Sequence, residues 1–170
     1  MSAVAVIRIS GLNAIEIVNK IFSKDISKSK SHTIHFGTVR NQNKIIDEVL
    51  VSIFKNGQSY TGEESVEISC HGSVFIQQRI IHLLIKNGCR HSEPGEFTLR
   101  AFRNNKIDLS QAESVADLIA SDSDSTHMTA MKQLRGGISK KLSDLRTELI
   151  DFASLIELEL DFSEEDVEFA

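Results

Sequence analysis

Short blocks of branched apolar residues alternate with polar turns in the first half of the chain, a pattern that favours strands. The strands expected from it cover residues 4–9, 32–40, 44–54 and 65–70. Asn41-Gln42-Asn43 separates the second strand from the third, and asparagine tolerates the positive φ that a tight turn requires. This spacing predicts a hairpin between those two strands.

Apolar residues at helical spacing fall between and after these strands. The helices expected in this half cover residues 14–22, 72–87 and 97–103. Gly88 can end the second helix, and Pro94 with Gly95 marks a turn before the third. Strands and helices in this order predict an α/β (α+β) domain.

From Ser110 onward the pattern is helical throughout, with Ser110 and Glu113 matching the S-x-x-E capping box. Adjacent glycines, Gly136 and Gly137, mark a helix break, a kink or a close packing contact. An apolar stripe of about six helical turns follows them. It consists of Ile138, Leu142, Leu145, Leu149, Phe152, Ile156 and Leu160. Too little sequence follows to cover the stripe, so we expect it to be exposed and the chain to be part of a longer one. The expected domains are residues 1–108, which are α/β, and residues 109–170, the start of an all-helical domain.

Charge divides the chain in a similar way. Residues 1–110 carry 14 Lys and Arg against 10 Asp and Glu, whereas residues 111–170 carry 5 against 14. Phosphate binding needs cationic density, so the acidic part is not expected to hold RNA. No apolar run approaches the roughly 18 residues of a membrane span, and no membrane association is expected. Cys70 and Cys89 lack zinc-site or CxxC spacing and are interpreted as reduced thiols of a cytoplasmic protein, with Cys70 packed at a strand end.

The sequence lacks several motifs that are typical of catalytic centres. It contains no GxxxxGK[ST] phosphate loop, no HExxH, no GxSxG and no metal-spaced His/Cys cluster. His71 lies where a strand meets a helix and is interpreted as a capping or packing residue. Arg100, Arg103 and Lys106 surround Phe102 and could serve an anionic ligand, although such a cluster is more often a solvated face.

Arg8 and Glu67 are more informative, because each lies inside an expected strand. Val4, Val6 and Arg8 share one face by alternation, and a guanidinium among buried apolar neighbours needs an anionic partner. One interpretation is an ion pair between two strands. The other is a polar pocket, in which a carboxylate accepts paired hydrogen bonds from a pterin-like edge and a basic residue holds an anionic tail. Both interpretations remain open from the residues alone.

Several segments, taken in order, resemble one family. They are VIRISG at residues 6–11, SYTGEE at 59–64 with Glu67 and His71-Gly72 behind it, EPGEFTLRAF at 93–102 with matching positions to residue 119, LRGGIS at 134–139 and DFSEED at 161–166. Together they are similar to the tRNA modification GTPases of the MnmE/TrmE family. The resemblance covers essentially the whole chain.

For the first domain, the resemblance implies a fold like the folate-binding domain of the glycine-cleavage T-protein. It also implies binding of 5-formyl- or methylene-tetrahydrofolate and formation of a homodimer. By motif match, the folate-contacting positions are Arg8, Glu67 and Lys106. No catalytic residue and no metal ligand is expected in this chain.

For the whole protein, the resemblance implies action with the flavoprotein MnmG (GidA) on carbon 5 of the wobble uridine of tRNA, in the cytoplasm or in an organelle. GTP, magnesium and potassium are expected only on a GTPase domain outside this chain, so the chain alone is not expected to hydrolyse GTP. One alternative is a dimerisation and partner-docking module without folate binding. Another is a one-carbon transferase of the T-protein type that acts alone.

Overall fold

The computed structural model describes residues 2–165, and the side chains of residues 2–161. The chain divides between Ile107 and Asp108 into two compact units. The elements are β1 (Val4–Ser10), α1 (Ala14–Asn19), β2 (Thr33–Asn41), β3 (Lys44–Phe54), β4 (Ser65–His71), α2 (Val74–Lys86), α3 (Glu96–Arg103), α4 (Leu109–Ala120), α5 (Asp124–Leu134) and α6 (Gly137–Glu165). The predicted fold class, an α/β domain followed by a helical segment, is confirmed.

The sheet of the first unit has the strand order β1-β4-β3-β2, and each neighbouring pair is antiparallel. The predicted hairpin joins β2 to β3, with Asn41 opposite Lys44. The residue with positive φ in its turn is Gln42 rather than an asparagine. β1 and β2 are the two edges of this sheet, so within residues 2–165 the one strand beside β1 is β4.

One face of the sheet carries the core of the first unit, where β-branched residues pack beneath α1 and α2. Val18, Val51, Ile53, Val66, Ile68 and Ile80 are fully buried there. Cys70 is buried in the same cluster and is a free thiol, as predicted. Gly37 of β2 lies under the ring of Phe22, and a Cβ at this position would stand 2.6 Å from ring carbons.

The first helix ends at Asn19 and not at Phe22 as predicted. The backbone beyond it pairs with β2 instead: Arg40 N–H donates to the Ile21 carbonyl, and Ser23 N–H donates to that of Thr38. Phe22 therefore reaches the core from a short bridge with Val39 and not from a helical turn.

The opposite face of the sheet is open. Val4 and Val6 are each 58% exposed, whereas Ile9 of the same strand is buried. The alternation predicted for β1 is correct, but the prediction that Arg8 lies among buried apolar neighbours is wrong. The helices cover the face of Ile7 and Ile9, so Val4 and Val6, which share the face of Arg8, point to solvent.

The second unit begins with a cap that differs from the predicted one. Asp108, not Ser110, caps α4: its Oδ1 accepts the Gln111 N–H at 2.9 Å, and Gln111 Oε1 accepts the Asp108 N–H at 3.0 Å. Ser110 already lies inside the first turn. The Ser139 hydroxyl donates to Asp108 Oδ2 at 2.5 Å, and this bond, with that from Gln111, holds the pKa of Asp108 below its ordinary value.

The glycine pair produces a break between α5 and α6. α5 ends at Leu134 with Arg135 as its cap, Gly136 then adopts φ +79°, and α6 starts at Gly137. The predicted stripe along α6 is exposed over Ile138, Leu142, Leu145, Leu149, Phe152, Ile156 and Leu160. Of the DFSEED segment, the side chains after Asp161 and all of Asp166 lie outside the described residues. Within the described part, no helix is long and apolar enough to cross a bilayer.

Candidate functional site

A polar turn, defined here as residues 57–63 between β3 and β4, is fastened to α3 and to the residues that follow it. Four side-chain contacts do this: Tyr60 Oη to Thr98 Oγ1 at 3.1 Å, Arg100 Nη1 to Glu63 Oε2 at 2.9 Å, Asn104 Nδ2 to the Thr61 carbonyl at 2.7 Å and Lys106 Nζ to the Gly57 carbonyl at 3.0 Å. The segments SYTGEE and EPGEFTLRAF, which are separated along the chain, therefore contact each other in the fold.

Hydrogen-bonded hydroxyls hold the polar turn against the end of β1. Ser10 Oγ lies 2.7 Å from Thr61 Oγ1 and donates to Glu63 Oε2 at 2.8 Å, while Ser65 Oγ donates to Ser10 Oγ at 3.1 Å. Thr61 is fully buried. A hydroxyl both donates and accepts, so the hydroxyls of Ser10, Thr61 and Ser65 can bond one another, and the partly exposed carboxylate of Glu63 accepts from Ser10. The turn is consequently anchored both to the sheet and to α3.

Gly62 allows the turn to approach the residues after α3. It adopts φ +79°, a region that glycine enters without steric cost. A Cβ there would lie 3.1 Å from Lys106 Cγ and 3.2 Å from Asn104 Cβ. A larger residue would therefore push Lys106 and Asn104 away from the turn.

Arg8 and Glu67 occupy opposite positions on β1 and β4. Arg8 Nε and Nη2 each lie 2.7 Å from Glu67 Oε1, and the two side chains are 42% and 24% exposed. The Arg8 guanidinium also lies 5.7 Å from the ring centres of Tyr60 and Phe97. The ion-pair interpretation describes this geometry correctly, although the pair is half-exposed. The ligand-pocket interpretation stays a prediction.

Lys106, the third predicted site residue, contacts the first residue of the polar turn. The backbone turns after α3, where Asn105 adopts φ 55°. The Lys106 ammonium donates to Gly57 at one end of the polar turn, whereas Arg8 contacts the Tyr60 ring within it. The polar turn is thus the element that Arg8 and Lys106 both contact.

A cluster of ionic side chains borders the site and includes Arg100, for which the sequence favours a solvated face. Arg90 binds both oxygens of Glu96, and Arg100 binds Glu96 Oε1 at 2.7 Å. Hydrogen bonds from Arg90 first, and then from Arg100, hold the pKa of Glu96 far below its ordinary range. The i,i+4 spacing of Glu96 and Arg100 was the available sequence signal, since this spacing places both on one helix face.

A cleft of about 580 Å³ lies between β1, the end of α2 and α3. Its walls include Ile17, Ile81, Leu84, Cys89 and Phe97, with Arg8 at one side. Burial raises the pKa of the Cys89 thiol, which makes the reactive thiolate scarce. The cleft offers an apolar wall beside the Arg8 guanidinium.

His71, an exposed side chain, contacts a buried carboxylate of β3. The buried carboxylate of Asp47, 9% exposed, contacts His71 Nδ1 at 2.7 Å and accepts its backbone N–H at 2.9 Å. Gly72 follows where the backbone of Ser2 passes, with a hypothetical Cβ only 1.7 Å from the Ser2 carbonyl oxygen. Among the residues that the structure describes, no group of three or more His, Cys, Asp or Glu could hold a metal ion.

Two family models match the chain. The model described as GTP-binding protein TrmE N-terminus matches residues 1–106, and the MnmE helical domain matches residues 109–170. The chain belongs to the MnmE/TrmE family. The resemblance drawn from the motifs is therefore confirmed.

Relatives within the MnmE/TrmE family are close in sequence. The tRNA modification GTPase MnmE of Flavobacterium psychrophilum is 61% identical over 172 residues, and that of Flavobacterium johnsoniae is 60% identical over the same length. The protein of the same name from Bacteroides thetaiotaomicron is 59% identical over 173 residues. Each alignment covers 99% of this chain but 37% of the relative. The chain thus spans little more than a third of the curated relatives it matches.

Proposed function

We propose that this chain supplies reduced-folate binding and homodimerisation to a tRNA modification GTPase of the MnmE/TrmE family. In that proposal the complete protein works with the flavoprotein MnmG (GidA) on carbon 5 of the wobble uridine of tRNA. The observation that carries the folate-binding part is the Arg8–Glu67 pair beside the polar turn that also binds Lys106.

The residues present fit the polar groups of a reduced folate. Within residues 2–161, both contacts that Arg8 makes to Glu67 end on Oε1. Oε2 of this carboxylate, whose side chain is 24% exposed, therefore remains as an acceptor for the donors of an aminopyrimidinone edge. Arg8 and Lys106 add two cations for polar or anionic groups of the same ligand. The apolar wall of the cleft beside Arg8 suits a flat ring system.

Calorimetric titration of the whole chain with 5-formyl-tetrahydrofolate, and separately with methylene-tetrahydrofolate, tests this proposal. We expect saturable binding with one site per chain for at least one of them. Folic acid, which is fully oxidised, serves as the comparison ligand. Absence of binding by every reduced folate would overturn the folate-binding part and leave the assembly-module alternative.

Homodimerisation is proposed through the α/β unit. The open face of its sheet carries exposed Val4, Val6, Ile34, Phe36 and Leu50, and β1 forms an unpaired edge. An apolar face and a free edge of this kind favour association. Light scattering at several concentrations should give about twice the 18.9 kDa mass of the chain. A monomer at tens of micromolar would contradict the proposal.

The chain alone is proposed neither to bind nor to hydrolyse GTP. Its sequence contains no phosphate loop, and a triphosphate needs such a cradle of backbone N–H groups. GTP, magnesium and potassium then belong to the part of the protein outside this chain. Calorimetry with GTP, magnesium and potassium tests the point, and saturable micromolar binding would refute it. The match of residues 109–170 to the MnmE helical domain weighs against an independent T-protein-type transferase.

A further inference from the structure

The guanidinium of Arg8 lies close to two aromatic rings from different parts of the chain. Its central carbon is 5.7 Å from the ring centre of Tyr60 in the polar turn, and 5.7 Å from that of Phe97 in α3. Both distances fall within the range of a cation–π attraction. With the Glu67 carboxylate, the rings place three groups around one cation.

An arginine in this position needs such contacts to keep one orientation. The Arg8 side chain is 42% exposed on an edge strand, and its several torsions give it many alternative rotamers in water. A solvent-exposed ion pair restrains these rotamers only weakly. Ring faces restrict the guanidinium further, because the attraction depends on where the cation lies over the ring.

The rings themselves are held together. The Tyr60 hydroxyl hydrogen-bonds with Thr98 Oγ1 at 3.1 Å, and Thr98 directly follows Phe97 in α3. The contact of Arg100 with Glu63 fixes the same two elements from the other end of the turn. The position of Arg8 is thereby coupled to the junction between the polar turn and α3.

We propose that Tyr60 and Phe97 are positioning residues that orient the Arg8 guanidinium for a reduced folate. This inference rests on the proposed function, because it assigns the two rings a role at the same site. The rings act by restricting Arg8 before the ligand binds, so their loss increases the freedom of Arg8 in the free chain. Their removal also lowers affinity for the ligand, since the bound orientation of Arg8 must then be selected from more rotamers.

The test compares Tyr60→Leu and Phe97→Leu with Tyr60→Phe and Phe97→Tyr, which keep a ring at each position. Affinity for 5-formyl-tetrahydrofolate is measured by calorimetry. In the free chain, reaction of Arg8 with phenylglyoxal is followed by peptide mass spectrometry, with exposed Arg103 as an internal reference. Each leucine variant should weaken affinity about two- to fivefold, the factor for one exposed cation–π contact. It should also accelerate Arg8 modification. Phe97→Tyr should behave as the unmutated chain, whereas Tyr60→Phe, which keeps the ring but loses the hydrogen bond to Thr98, should lie between the unmutated chain and Tyr60→Leu.

Several outcomes would overturn the inference. If the leucine variants bind as tightly as the unmutated chain, the rings do not position Arg8. If affinity falls while the rate of Arg8 modification stays constant, the rings contact the ligand directly and positioning is wrong. Tyr60→Leu, on a 40% exposed side chain, carries the test if Phe97→Leu does not fold. If the unmutated chain binds no folate, the proposed function fails. Separately, an Arg8 modification rate that stays the same in the leucine variants would show that the rings do not restrict Arg8.

Discussion

Arg8 and Glu67 face each other across β1 and β4, with 2.7 Å between the guanidinium nitrogens and a single carboxylate oxygen. The pair stands on the open face of the sheet and not in the core. An exposed ion pair contributes only about 0–1 kcal/mol to the free energy of unfolding. The pair therefore contributes little to the stability of the fold. Its effect on ligand binding can be measured with little interference from a change in stability.

Glu67→Gln should lower affinity for 5-formyl-tetrahydrofolate about thirtyfold and change the melting temperature little. The substitution keeps the shape but replaces an acceptor oxygen by a donor that faces a donor of the ligand, at a cost of about 2 kcal/mol when the pair is desolvated. Calorimetry and thermal unfolding measure the two effects. Glu48→Gln, at an exposed glutamate of β3, is the matched control. A purely structural pair would show the reverse pattern, with a lower melting temperature and constant affinity.

Lys106→Ala should weaken the same binding less than Glu67→Gln does. The Lys106 side chain is exposed, and exposed ion pairs contribute about 0–1 kcal/mol, which corresponds to at most about fivefold in affinity. Its binding to Gly57 also restrains the polar turn. Lys106→Arg keeps the charge and should bind nearly as the unmutated chain. A loss from Lys106→Ala equal to that from Glu67→Gln would show that the ammonium is desolvated in the complex.

Glu96 should make the stability of the chain depend on pH on the acid side. Its pKa in the folded chain lies far below the ordinary value of 4.5, because Arg90 and Arg100 bind the ionised form. A depressed pKa gives stabilisation that is complete above the unfolded value and disappears as protons are added below it. The melting temperature should therefore fall below about pH 4.5, and less steeply in Glu96→Gln. Glu93→Gln is the control, and parallel pH curves for all three chains would contradict the prediction.

Gly37→Ala should destabilise the first unit. The added methyl would lie 2.6 Å from the ring of Phe22 and 2.8 Å from Ser23 Oγ, so the buried ring must move. Overpacking of this kind costs about 1–3 kcal/mol. Chemical denaturation measures the loss. Combining Gly37→Ala with Phe22→Leu should give a total loss smaller than the sum of the two single losses, because the smaller side chain makes room for the methyl. Additive losses would show that the ring is not the obstacle.

Local pattern was enough to locate most elements of this protein. Alternation and branched residues identified the four strands, since a strand places successive side chains on opposite faces whatever it packs against. The adjacent glycines indicated a break, a kink or a close packing contact, of which the structure shows a break, and helical spacing identified the exposed stripe of α6. The sequence motifs, and not the periodicity, identified the family and the three site residues Arg8, Glu67 and Lys106. The role of these residues in folate binding stays a prediction.

Other features depended on contacts between distant parts of the chain. Alternation in β1 could not say which face meets the helices, so the exposure of Arg8 was decided by the packing of α1 and α2. Asp108 is the α4 cap because its backbone leaves the helical conformation there, and Ser139 binds its second oxygen.

The contacts between the polar turn and α3 also separate what the sequence predicts from what the tertiary structure decides. The residues from Gly57 to Glu63 and those from Glu96 to Lys106 were each visible as a polar or basic segment. Their four hydrogen bonds and the two rings beside Arg8 were not, because sequence spacing constrains only neighbours along a single strand or helix. Sequence alone thus determined the elements and the chemistry of the side chains. The tertiary structure decided which side chains meet, because only packing brings residues from separate elements within hydrogen-bond distance.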